Sequence, residues 1–200
     1  MATGRDLCFT PAVELLKLYR ARRVSPVEVM QAILARIDAV NPDVNAIVTL
    51  VRADALRDAR RATAALRRGA ALPPLFGVPV GIKDVTSTKG IRTTHGSKLF
   101  ESYVPDEDAL VVQRLRAAGA IVIGKTNTPE FAFGPNTVNA VFGATRNPWN
   151  LALTAGGSSG GSAAALASGM FRSRKAPISA APCVVRRPTA GSSGSARRPG

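Results

Sequence analysis

The stretch that decides the fold is TAGGSSGGSAAALASG, residues 154–169. Runs rich in glycine and serine usually behave as flexible spacers. This run continues directly into AAALA at 163–167, and alanine and leucine are strong helix formers. The alternative to a spacer is therefore a glycine-lined loop that presents a serine at the start of a helix near Ser162. The choice depends on whether the chain supplies partners for such a serine.

The composition indicates a globular protein of one or two domains, because 46% of its 200 residues are apolar. No apolar run approaches the roughly 18 residues that a membrane-spanning helix needs. The first residues lack the layout of a signal peptide, so we expect a cytoplasmic protein without a membrane partner. Cys8, Cys183 and the single histidine, His95, are too few for a disulfide framework or a metal site. We therefore expect no metal and no cofactor.

The net charge of +14 is concentrated in one segment. Residues 171–200 hold seven of the 27 basic residues, and no acidic residue follows Glu130. This segment has no aromatic residue after Phe171, so it lacks the stacking platforms typical of single-stranded nucleic-acid binding. We expect at most non-specific nucleic-acid binding through this basic tail.

The hydrophobic periodicity predicts helices that alternate with short strands, which is typical of an α/β sheet. Thr10-Pro11 and the capping box that begins at Ser25 each predict a helix start, and Asn41-Pro42 predicts a helix end. Asp106 is the expected N-cap of a helix that Gly119 ends. The predicted helices span 11–23, 26–41, 52–69 and 107–118, and the predicted strands span 46–50, 75–82 and 121–123. Residues 126–153 are predicted to be rich in loops.

Lys83 is the candidate base, because it lies at the exit of the apolar strand LFGVPVGI. Apolar surroundings disfavour an ammonium group and lower its pKa, so a buried lysine can accept a proton near neutral pH. A nearby serine could then be activated without any histidine. The alternative is a surface lysine that pairs with Asp84.

Four ordered blocks make the sequence similar to the amidase signature family. They are GVPVGIKD at 77–84, GAIVIGKTNTPEFA at 119–132, FGATRNPWN at 142–150 and GGSSGGSAAALASG at 156–169. The resemblance implies an α/β fold with a mixed central sheet surrounded by helices, of which residues 1–170 would form the N-terminal portion. It also implies hydrolysis of a small carboxamide by a Ser–cisSer–Lys triad.

Matched to the family motif, Lys83 is the general base and Ser158 is the serine with a cis peptide bond that relays the proton. Ser159 and the glycines around it would support this loop: Gly156, Gly157, Gly160 and Gly161. The positive end of the following helix suits a developing oxyanion.

The resemblance ends after Gly169-Met170, at the basic segment 171–200. The family's nucleophilic serine would fall in ISAAPCVVRRP, where Pro182 stands instead. If the reading frame is displaced by one base, the codons of Pro177–Cys183 can encode TDLGGSL. The serine codon then straddles the codons of Ala181 and Pro182. We therefore expect an out-of-frame, disordered tail, and a truncated chain that folds poorly and is inactive.

Three alternatives remain open at this stage. The first is the A subunit of the tRNA-dependent amidotransferase, which hydrolyses glutamine. The stretch TNTPEFAFGPNTVNAVFGATRNPWN is more similar to general bacterial amidases than to that subunit. A basic nucleic-acid-binding protein is the alternative from another class, and a non-catalytic binding module with a vestigial site is the third. A homodimer is possible, and the sequence leaves the particular amide open.

Overall fold

The computed structural model describes residues 4–69 and 71–171. In this part of the chain, six α-helices and seven β-strands are present. The helices are α1 (Gly4–Phe9), α2 (Ala12–Arg20), α3 (Pro26–Val44), α4 (Arg52–Arg67), α5 (Leu110–Ala117) and α6 (Gly160–Ala167). The strands are β1 (Ile47–Leu50), β2 (Pro79–Lys83), β3 (Ile121–Thr126), β4 (Val138–Asn139), β5 (Gly143–Ala144), β6 (Arg146–Asn147) and β7 (Asn150–Thr154).

A mixed three-stranded sheet with the order β1-β3-β2 lies at the centre of the described residues. Strand β3 runs antiparallel to β1 and parallel to β2, so the predicted mixed sheet is confirmed. Every residue of β3 is buried, as expected for a central strand that is covered on both faces. The parallel register places Lys83 opposite Thr126 and Ile82 opposite Lys125.

Helices cover both faces of this sheet. Successive residues of β3 point to opposite sides, so they pack into two different apolar clusters. Ile121 and Ile123 belong to the larger apolar cluster, which includes residues of α3, α4 and α6. Val122 belongs to a second cluster with β2 and the α5 residues Val112 and Leu115. The predicted alternation of helices and strands therefore gives a helix–sheet–helix arrangement.

Helix α3 extends to Val44, so the prediction that Asn41-Pro42 ends it is wrong. Proline in the last turn removes only one intrahelical donor, and Val44 is 2% exposed within the core. The Asn41 side chain accepts hydrogen bonds from Ala46 N and Ile47 N and donates to Ile47 O. These bonds join the end of α3 directly to β1.

Two predicted helix caps are also wrong. Helix α2 has Pro11 rather than Thr10 at its N-cap, and α5 begins at Leu110 with Ala109 at its N-cap. Asp106 does not cap α5, because it lies in a bend four residues before the helix begins at Leu110. The capping box at Ser25 is confirmed: Ser25 and Glu28 exchange side-chain and backbone hydrogen bonds.

The loop-rich region after β3 contains two small hairpins, β4–β5 and β6–β7. Thr145, between the hairpins, donates through Oγ1 to Asn45 O at 2.7 Å and accepts from Asn127 Nδ2 at 3.0 Å. Trp149 is 80% exposed on the second hairpin. The loop is therefore anchored to the end of β3 while its tip faces solvent. Among the described residues, no helix is both long and apolar enough to cross a membrane.

Candidate active site

Lys83 and Ser158, which are 75 positions apart in sequence, meet at the end of β2. Lys83 Nζ donates a hydrogen bond of 2.8 Å to Ser158 Oγ. The peptide bond between Gly157 and Ser158 is cis, as the family resemblance implied. The structure thus brings together the two side chains that the sequence singled out, and the glycine-rich stretch is an ordered loop rather than a spacer.

Burial lowers the pKa of Lys83 below its ordinary value. The Lys83 side chain extends from the last residue of β2, and the residue is only 9% exposed. Asp84 offers no simple surface ion pair, since it is fully buried and accepts hydrogen bonds from Thr94 N and Thr94 Oγ1. The environment of Lys83 is therefore less favourable to the charged ammonium form than water is.

The segment 135–137 lies against the glycine-rich loop. A Cβ atom on Gly157 would lie 3.0 Å from backbone atoms of Pro135 and Asn136. Thr137 N donates to Gly156 O at 2.9 Å, and Gly160 N donates to Thr137 Oγ1 at 3.0 Å. Gly156 has a φ of 74°, in the left-handed region that glycine adopts readily. The glycines are therefore required by close backbone packing around Ser158.

Helix α6 packs directly on the end of β3. A Cβ atom on Gly161 would lie 2.5 Å from Asn127 N and Asn127 O. Behind this contact, Thr126 Oγ1 and Ser162 Oγ form a buried hydrogen bond of 2.7 Å. Glycine at 161 therefore permits the close approach that places Ser158 over Lys83.

Ser159 lies at the N-cap of α6, but its side chain makes no capping hydrogen bond. Its carbonyl oxygen accepts from Ala163 N at 3.0 Å. The first helical amide, Gly160 N, is already bonded to Thr137 Oγ1, so it is not available to an oxyanion in this arrangement. The oxyanion role expected for this helix end stays a prediction.

Sequence reasoning missed three threonines around this loop, because each acts through contacts with residues distant in sequence. Thr126 bonds to Ser162, Thr137 accepts from Gly160, and Thr128 Oγ1 donates to Ser158 O at 3.3 Å. Two of them lie in or directly after β3, so polar residues at the end of an apolar strand were the available signal.

The remaining candidates are placed as follows. His95 lies in a loop, as predicted, with its ring centroid 5.1 Å from that of Phe100. Pro182, Cys183 and residues 172–200 of the predicted out-of-frame tail lie outside the described residues. Phe171, the first residue of that predicted tail, is described and is buried in the larger apolar cluster. Within residues 4–69 and 71–171, no group of three or more His, Cys, Asp or Glu side chains is suitably placed to hold a metal ion.

Comparison with known proteins gives a family match over most of the chain. The sequence model of the family described as Amidase matches residues 28–172. The A subunit of the glutamyl-tRNA(Gln) amidotransferase of Acidothermus cellulolyticus is 51% identical over 162 residues, which is 81% of this chain and 32% of that protein. The chain thus spans about a third of the length of this curated relative.

Solved structures agree with the family match. The 6-aminohexanoate cyclic dimer hydrolase superposes with a TM-score of 0.74 at 38% identity, over 82% of this chain and 33% of that one. Fatty acid amide hydrolase superposes with a TM-score of 0.81 at 26% identity, over 86% of this chain and 30% of that one. The mixed sheet, the glycine-rich loop and these matches lead to one conclusion: the chain belongs to the amidase signature family.

Proposed function

We propose that this chain carries the base and relay half of a site that hydrolyses a small carboxamide. The observation that supports this most directly is the 2.8 Å hydrogen bond between Lys83 Nζ and Ser158 Oγ. Lys83 ends a buried strand, and Ser158 directly precedes the N-cap of α6. An amide carbonyl could approach the two groups at the half-buried loop residues 156–158. Membership of an amide-hydrolysing family supports the same reaction class.

In the proposed mechanism, Lys83 acts as the base and Ser158 transfers the proton. Burial lowers the pKa of Lys83, so a neutral amine can accept the Ser158 proton. Ser158 in turn takes the proton of a nucleophilic hydroxyl, which then attacks the amide carbonyl carbon. The same path run backwards delivers the proton to the leaving nitrogen as the C–N bond breaks, which leaves an ester on the nucleophile. A water molecule that loses its proton along the same path then attacks this ester and releases the carboxylic acid. Ser159, Gly156, Gly157, Gly160 and Gly161 hold the loop in position.

The nucleophile itself is absent from the expected place, where Pro182 stands. We propose that residues 171–200 are translated out of frame and that the chain as written does not turn over amides. Loss of one triad member removes most of the catalytic acceleration, commonly several orders of magnitude. The nucleotide sequence tests the frame directly, because codons incompatible with a serine straddling Ala181 and Pro182 would contradict it.

The activity is tested with two purified proteins, the 200-residue chain and the product of the gene with its frame restored. Ammonia release from aliphatic and aromatic carboxamides is expected only from the restored protein. In that protein, Lys83→Met and Ser158→Ala should each lower kcat/KM by roughly 10²–10⁴, the range for loss of a proton-transfer group. Amide hydrolysis by the unrestored chain, above that of its Lys83→Met variant, would contradict the proposal.

Glutamine hydrolysis is the second candidate, and a specific observation favours it. The 51% identity to the A subunit of a glutamyl-tRNA(Gln) amidotransferase exceeds the 38% identity to the cyclic dimer hydrolase. The substrate would then be glutamine, and partner subunits would receive the ammonia. A glutaminase assay of the frame-restored protein, with and without such subunits, separates this candidate from a general amidase.

The other expectations from the sequence also remain proposals. We propose a cytoplasmic protein whose partner is a small amide substrate, with homodimerisation left to a direct measurement of mass in solution. Binding to nucleic acid is proposed only as a non-specific property of the basic residues in 171–200. No metal or cofactor enters the proposed mechanism.

A further inference from the structure

Lys125 is a buried lysine that the proposed proton transfer does not use. It lies on β3 and is 0% exposed, so it cannot contact a substrate. Its ammonium group donates to Thr86 O at 2.5 Å, Thr88 Oγ1 at 3.0 Å and Thr93 Oγ1 at 2.9 Å. All three acceptors belong to residues 84–95, which we call the post-β2 segment. One side chain of β3 therefore fixes three points of the segment that follows Lys83.

Asp84 provides the opposite charge at the beginning of the same segment. It is 0% exposed, and Thr94 N donates to Oδ2 at 3.2 Å and to Oδ1 at 3.3 Å. Thr94 Oγ1 also donates to Oδ2, at 2.5 Å. Burial raises the pKa of Asp84, and the positive charge of Lys125 acts in the opposite direction. Adjacent threonines bond to the two charges: Thr93 accepts from Lys125, and Thr94 donates to Asp84.

This buried cluster lies behind Lys83 rather than beside it. Lys125 is opposite Ile82 in the sheet, whereas Thr126 is opposite Lys83, so Lys125 and Lys83 point to different faces. The backbone joins the two faces directly: Asp84 N donates to Thr126 O at 3.0 Å and Thr86 N donates to Lys83 O at 3.0 Å. The path of the chain immediately after Lys83 therefore depends on where the cluster holds the post-β2 segment.

We propose that Lys125 and Asp84 are positioning residues that hold the post-β2 segment in place and thereby keep Lys83 Nζ on Ser158 Oγ. The inference rests on the proposed function, in which Lys83 is the base. A buried charge that loses its partner is strongly unfavourable, whereas replacing both charges together can be nearly neutral. The segment should therefore respond differently to the loss of one charge and to the loss of both.

The test uses the complete 200-residue chain and needs no catalysis. Lys125→Met fills the volume of the lysine but satisfies none of its three acceptors. Amide hydrogen exchange in the post-β2 segment is expected to become at least about tenfold faster, the factor for one lost hydrogen bond to a charged group. Exchange in α3 should change by less than about twofold, since local opening leaves distant elements protected. The double variant Lys125→Met/Asp84→Asn should recover part of the protection, because it removes the uncompensated Asp84 charge but restores none of the three Lys125 hydrogen bonds.

A second readout follows Lys83 itself, through the ¹⁵N resonance of its side-chain nitrogen, assigned with Lys83→Arg. In Lys125→Met, this resonance should move in the direction that Ser158→Ala causes, and in the double variant it should return part of the way. Equal acceleration of exchange in α3 and in the post-β2 segment, or an unmoved Lys83 resonance, would overturn the inference. If Ser158→Ala does not move the Lys83 resonance, the proposed function is contradicted instead. Failure of the inference and failure of the proposed function are therefore distinguishable.

Discussion

At the residue scale, the two buried lysines give the protein an unusual dependence on pH. Burial lowers the pKa of Lys125 from 10.5 to about 8 and also lowers the pKa of Lys83. The unfolded chain therefore binds more protons than the folded chain between about pH 8 and pH 10. The free energy of unfolding rises with pH wherever the unfolded state binds more protons, so it should rise across this interval.

We predict that the free energy of unfolding rises by roughly 2 kcal/mol between about pH 8 and pH 10, since each unit of pKa difference contributes about 1.4 kcal/mol. Lys125→Met should remove most of this rise. Urea denaturation at a series of pH values measures it. The rise ends near the ordinary lysine pKa of 10.5, where the unfolded chain also loses this proton. Above about pH 10, the raised pKa of buried Tyr19 acts in the opposite direction.

Lys17→Met is the matched control, because the Lys17 side chain is 65% exposed and pairs with Glu14 on the surface of α2. Its pH dependence of stability should match that of the unmodified chain. If the free energy of unfolding rises with pH as steeply in Lys125→Met as in Lys17→Met, the effect does not come from burial of Lys125.

At the element scale, the contact between α6 and β3 determines where Ser158 lies. We predict that Gly161→Ala destabilises the protein by about 1–3 kcal/mol, the usual cost of adding a group to a close-packed contact. The added methyl group would meet the backbone of Asn127, which cannot move aside without displacing β3. This loss should occur even though alanine is a better helix former than glycine. Thermal or urea denaturation measures the change.

Ala163→Gly in the same helix is the control for this substitution. Ala163 is half-buried, and its replacement removes helix propensity without adding any atom. The expected cost is about 1 kcal/mol from propensity alone. If Gly161→Ala proves more stable than the unmodified chain, helix propensity outweighs the contact and the packing argument is wrong.

Elements with a strong local signal were predictable from the sequence, and elements fixed by distant contacts were not. The Ser25 capping box, the apolar run of β3 and the Lys83–Ser158 pair follow from residue type, spacing and family motif. The continuation of α3 through Pro42 does not, because burial of Val44 and the side-chain bonds of Asn41 decide it. From the sequence, Lys125 is only one residue of the block GAIVIGKTNTPEFA, because its hydrogen-bond acceptors are more than 30 positions away.

At the scale of the whole molecule, large apolar side chains are exposed on the loops that follow β2 and β3. Phe133 is 91% exposed, Trp149 80% and Leu99 84%. Exposed apolar patches on soluble proteins commonly mark surfaces that another part of a protein covers. This chain spans 33% and 30% of the two solved amidase structures described above. These exposed side chains are therefore candidate contact surfaces on the described residues.

Charge is the other property of the whole molecule, and its distribution decides which residues bind nucleic acid non-specifically. Residues 172–200 carry seven basic residues and no acidic residue, which is half of the net charge of +14. We predict that deleting them removes most of the affinity for double-stranded DNA. The slope of log affinity against log salt should also fall, because each neutralised phosphate contributes about 0.9 to it. Titration of labelled duplex DNA at several salt concentrations measures both quantities.

A full-length variant with these seven basic residues replaced by glutamine is the control for chain length. It should bind duplex DNA as weakly as the deletion does, because the non-specific affinity comes from neutralised phosphates and not from the length of the chain. Undiminished binding by both variants would instead place the DNA-binding surface on the folded residues. That outcome would contradict the proposal that nucleic-acid binding is a non-specific property of the basic residues in 171–200.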